Sequence, residues 1–99
     1  FNKGLIYILL KGEQNLLLAI KNFDWTIKYN KNFSQAYYQK GLCQMELKNF
    51  ANAVETFKKC KMLSPEDTEK CDSKINICNE EYIYKTFIKI SISIIWFNF

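Results

Sequence analysis

A chain of 99 residues that is 48% apolar, with one Pro and three Gly, has the size of one small domain and the composition of a helical one with few loops. Its net charge of +4 rests on 14 Lys and no Arg against 10 acids, and it has no His. Without Arg a nucleic-acid surface is not expected, and without His neither a zinc or other cofactor site nor a His-activated nucleophile is, so the chain reads as a non-enzyme.

Lys, Asn, Ile, Phe and Tyr together supply 50 residues. All five have codons rich in A and T, so the aromatic content carries no argument for base stacking. Residues 1–61 hold a net +6 and residues 62–99 a net −2. Cys43, Cys60, Cys71 and Cys78 are separated by 17, 11 and 7 positions, without a C-x-x-C pair. They read as reduced thiols serving as small apolar side chains. No basic-then-apolar leader opens the chain, and a cytoplasmic location is expected.

Residues 1–11 read as the end of a helix, and the opening on Phe1 suggests a fragment. A turn at Gly12–Asn15 leads into a second helix, LLLAIKNFDWTIKY. Asn32, Phe33 and Ser34 form the next junction, with Ser34 placed to cap a third helix. From Ser34 to Pro65 the chain reads as two amphipathic helices joined by a tight turn. Gly41 and Ala53 are small where the pair crosses, Phe50 starts the second helix, and Phe57 fills the space toward the following element. Ala19 and Phe23 recur as Ala53 and Phe57 at 34 residues, whereas Gly4 recurs as Gly41 at 37, so the first unit carries about three extra residues near its turn. A helix–turn–helix unit at this period cannot bury its apolar face alone and belongs in a stack.

Ser64 is placed to cap the next helix, Pro65 to occupy its first turn, and the acids Glu66, Asp67 and Glu69 suit its start. Cys71, Ile75, Cys78, Tyr82 and Ile83 form one apolar stripe of a long capping helix over 66–89. Residues 90–99 are an apolar tail in which Ile90, Ile92 and Ile94 alternate with Ser, a strand-like period, yet no breaker separates them from the helix before. The apolar run from Tyr82 is interrupted by Lys85 and Lys89 and is short for a bilayer span, which takes about 20 residues. A membrane anchor is therefore disfavoured against a docking edge or non-native sequence.

Gly41, Phe50, Ala53, Phe57 and Pro65, with the echo in Ala19 and Phe23, resemble the tetratricopeptide-repeat family over about residues 1–80. The resemblance implies an all-α fold, a tetratricopeptide-type helix-turn-helix solenoid of about five helices with a long C-terminal helix. The helical-repeat domain would span 1–89, with a partial hairpin at 1–33 and a full one at 34–65. It also implies a concave groove, lined by the first helix of each pair, that binds a peptide or partner domain. AYYQKG and the ending CNEEYIYKTFIKI are similar to the chaperone-binding repeat domains of type-5 serine/threonine phosphatases. Those domains grip the acidic tails of heat-shock chaperones through an Asn and two cations. Asn2 falls on the Asn position, and Gln35 and Gln39 fall on the cationic ones. A charged hydrogen bond to a carboxylate is worth about 1.5–3 kcal/mol, so losing both cations weakens such a tail by on the order of a hundredfold.

The expected groove is Asn2, Leu5, Gln35 and Tyr38 with Gln39, Leu42 and Met45, polar at one end and apolar at the other. It suits an uncharged or amphipathic segment. The leading expectation is a protein–protein interaction module from an adaptor or co-chaperone. The alternatives are the regulatory repeat domain of a phosphatase whose catalytic domain is absent, and a scaffold segment that stacks end-on.

Overall fold

The computed structural model describes residues 1–98. Five α-helices follow one another: α1 (Asn2–Leu10), α2 (Glu13–Tyr29), α3 (Ser34–Glu46), α4 (Phe50–Leu63) and, after a 3₁₀ turn at Pro65–Asp67, α5 (Thr68–Phe97). Each helix packs on the next, so two antiparallel hairpins, α1–α2 and α3–α4, stack side by side and α5 closes the row. The fold is all-α, as the periodicity implies, and no strand occurs among the described residues.

Two apolar clusters hold the stack. Ala19 and Phe23 of α2 meet Cys43 of α3, under Phe1, Leu5 and Ile8. Phe50, Ala53, Phe57 and Cys60 of α4 meet Cys71, Ile75 and Cys78 of α5. Helix α3 joins both: Cys43 faces backward into the first hairpin, while Tyr38, Leu42 and Met45 face forward onto the second cluster. Phe57 is fully buried between its own hairpin and α5, where its period placed it.

The glycines face rings. A Cβ on Gly4 would lie 2.6 Å from Phe23, and one on Gly41 would lie 2.7 Å from Phe57. The close approach is thus helix backbone against an aromatic edge rather than against Ala53. At the 34-residue equivalent of Gly41 stands Ile75, which packs into the cluster between α4 and α5.

The hairpin turns also correspond. Lys11 (φ 54°) and Lys48 (φ 64°) both take positive φ, 37 residues apart. After α3 the turn is a Schellman motif: Asn49 N–H donates to the Gln44 carbonyl (2.8 Å) and Lys48 N–H to that of Met45 (2.9 Å). After α1, Lys11 is followed by Gly12 at φ 85°, and α2 starts at once. The expected turn at 12–15 is therefore only Lys11–Gly12. The extra residues lengthen α2 to 17 against 14 in α4, so they extend the helix rather than the loop.

Three further expectations are corrected. Ser34 is the first residue of α3 and makes no side-chain cap, and Ser64 precedes the 3₁₀ turn without a side-chain cap either. The buried stripe of α5 stops at Cys78, since Tyr82 and Ile83 are exposed once the helix passes the α3–α4 turn. The helix does not end at 89 but runs to Phe97 through the alternating Ile-Ser stretch. No Pro or Gly follows Pro65, so each added residue gains a helical bond. Thr86 and Ser93 turn their hydroxyls onto the carbonyls of Tyr82 and Lys89, both at 2.9 Å, where no partner strand competes.

Candidate functional site: a groove between α1, α3 and α5

On α3 the residues three and four apart share one face, so Gln39, Leu42, Met45 and Glu46 line a common surface. Opposite them stand Lys74, Ile77 and Glu81 of α5, and the far wall is Ile8 of α1 with Leu16 of α2. These walls enclose a cavity of about 410 Å³, in the size range of small-ligand and side-chain pockets. Its floor is apolar. Its rim carries Glu46 and Glu81 against Lys48 and Lys74, two charges of each sign, and none of the four is in an ion pair among the described residues.

Three of the expected groove residues, Gln39, Leu42 and Met45, gather in this cavity. The other four are elsewhere. Asn2 is exposed at the start of α1, and Gln35 is exposed at the start of α3. Leu5 packs inward on the Ala19–Phe23 cluster. Tyr38 is half-buried, edge-on to Phe57 at 5.6 Å between centroids, with the Lys70 ammonium 4.1 Å from its own centroid. Burial raises the Tyr38 pKa while Lys70 opposes that shift, so the phenol is a packing group tied to α5.

Lys40, next to Gln39, is turned to α2, where its Nζ lies 2.6 Å from Asp24. It therefore does not supply the groove with a cation. The cations that do line it are Lys48, in the α3–α4 turn, and Lys74, on a helix read from sequence only as a cap. Ile8 had a usable signal, since it precedes Met45 by 37 residues just as Leu5 precedes Leu42. Ile77 and Glu81 had none, because which side of α5 faces α3 depends on how α5 crosses α4.

The site offers shape and apolar contact. Burial pushes the Cys43 thiol beside it up to about 11, with Glu46 adding to the effect, which favours the protonated sulfur at neutral pH. Among the described residues no group of three or more potential metal-ligating side chains is gathered.

Residues 34–67 match the tetratricopeptide repeat family, a span that takes in α3, α4 and the 3₁₀ turn after them. No curated protein and no solved structure matches the chain. No described helix is long and apolar enough to cross a membrane. Residues 34–67 therefore carry a tetratricopeptide repeat, with α1 and α2 stacked on one side of it and α5 on the other.

Proposed function

We propose that the chain is a non-catalytic protein–protein interaction module, part of a cytoplasmic adaptor or co-chaperone, that holds a segment of a partner in the groove between α1, α3 and α5. The observation that carries this reading is the apolar cavity between Leu42 and Met45 on one side and Ile77 on the other. A repeat scaffold presents such a surface on rigid helices, and a pocket for an apolar anchor is how grooves of this kind bind helical or extended segments. The balanced rim favours an uncharged or amphipathic segment over an acidic tail. Gln39 favours it too, because an amide cannot replace a cation against a carboxylate.

Peptides selected on the intact chain from a random displayed library test this. Selected binders are expected to carry a bulky apolar residue and to lose about tenfold or more in affinity toward Ile77→Glu and Met45→Ala, by burial of one side chain. Circular dichroism checks that both variants keep the fold. Equal affinity for the variants and the parent chain rejects the groove.

A further inference from the structure

The outer half of α5 reverses the amphipathicity of its inner half. From Thr68 to Cys78 the side toward α4 is apolar, with Cys71, Ile75 and Cys78 buried. Followed along the helix at about 100° per residue, that same side then carries Lys85, Lys89 and Ser93. Lys85 still reaches the body, its ammonium 5.6 Å from the Phe50 ring centroid, and Lys89 borders the same crevice. An apolar face lies opposite. Ile83, Phe87, Ile90 and Ile94 on one flank and Ile88 and Ile95 on the other span about 160°, with Tyr84 and Ser91 between the flanks. These six side chains are 37% to 67% exposed.

Charge and width select the occupant. A partner helix covers a stripe of roughly 100° and would leave the margins of this face in water, whereas a bilayer interface receives the whole of it. Lys85 and Lys89 stand without any carboxylate from Tyr82 to Asn98, which complements an anionic headgroup layer. No described helix is long and apolar enough to cross a membrane, and a segment that is apolar on one side and basic on the other suits a helix lying on a bilayer. Tyr82 and Trp96 fall on the same side as Lys85 and Lys89, where an in-plane helix holds interfacial aromatic rings at headgroup level.

We propose that Tyr82–Phe97 is an in-plane membrane helix that rests on an anionic bilayer surface. Its apolar face is sunk among the acyl chains, and Lys85 and Lys89 stand at the level of the phosphates on the side of the helical body. Glu80 and Glu81 end the polar half immediately before it, so the repeat body stays in water and its groove remains open.

Flotation of the full chain with vesicles tests this, using phosphatidylcholine alone or mixed with phosphatidylserine. The expected result is flotation that is stronger by about tenfold or more on the mixed vesicles and weakens with salt. In a Trp25→Phe background the Trp96 emission shifts to the blue on binding. Ile88→Asp with Ile95→Asp abolishes flotation. Lys85→Gln with Lys89→Gln lowers binding to mixed vesicles by about thirtyfold and leaves partition to the neutral ones unchanged. All four residues lie outside the buried clusters, and a thermal melt checks that the body is intact. Absence of flotation, binding indifferent to phosphatidylserine, or an Ile88→Asp/Ile95→Asp variant that floats like the parent overturns the proposal. So does a dimer formed through α5 that ignores vesicles.

Discussion

Gly41 and Phe57 specify one another: the ring's Cε1 and Cζ lie 2.7 Å from where a Cβ on Gly41 would stand. Phe57 is fully buried, so the ring has no free volume into which to retreat. Gly41→Ala gains about 0.5–1 kcal/mol of helix propensity but forces overpacking worth about 1–3 kcal/mol. The expected outcome is net destabilisation, measured as a lower urea midpoint at unchanged slope. Combining Gly41→Ala with Phe57→Leu should cost less than the two single changes added together, because the clash is shared.

The same hairpin contains a buried polar pair. Thr56 Oγ1 lies 2.7 Å from Gln44 Oε1 and 2.9 Å from the Asn52 carbonyl, and both side chains are buried. The Thr56 hydroxyl donates to the Gln44 side-chain carbonyl, with the Asn52 carbonyl as its second acceptor in reach. Thr56→Val strands the Gln44 amide and should destabilise by about 1–3 kcal/mol. Gln44→Leu with Thr56→Val should recover part of that loss. If the double variant is as unstable as the single ones added together, the pair is not coupled.

The scaffold was legible because small and aromatic residues at fixed spacing have few alternatives: Phe23, Ala53 and Phe57 are buried where the 34-residue echo put them. The groove was legible only along α3, where Gln39, Leu42 and Met45 follow from helical spacing. Its second wall depends on the crossing of α5 over α4, a tertiary fact that no local pattern carries, so Lys74, Ile77 and Glu81 went unread. Tyr38 was assigned to the groove on the same spacing, yet the crossing places Lys70 over its ring and turns it into a packing residue. Ser34 has the right side chain for a cap, but α3 begins at Ser34 itself, and its first-turn geometry leaves the hydroxyl without that bond.

Lys48 closes the Schellman turn at φ 64°, a position that usually belongs to glycine. A side chain there costs about 1–2 kcal/mol, and replacement by glycine returns part of that as unfolded-state entropy, about 0.4–1 kcal/mol. Lys48→Gly should therefore raise stability by about 0.5–1 kcal/mol. A thermal melt that moves down rather than up would show that the Lys48 side chain contributes more than its backbone strain removes.

The buried thiols make stability fall at alkaline pH. Burial, together with the hydrogen bond to Cys71, pushes Cys60 up to about 12, and burial with Glu46 pushes Cys43 up to about 11; both start from an ordinary 9.0. Between the unfolded and folded values the native chain binds more protons than the unfolded one, so the slope of stability against pH is negative there. The contribution is intact below about pH 9 and is lost as pH rises through about 11 to 12. Urea unfolding along a pH series should show this decline, with thiolate absorbance appearing only as the chain unfolds. Cys60→Ala with Cys43→Ala should flatten the decline. Lysine and tyrosine titrate in the same range, so a variant whose slope equals that of the parent would assign the alkaline loss to those groups instead of the thiols.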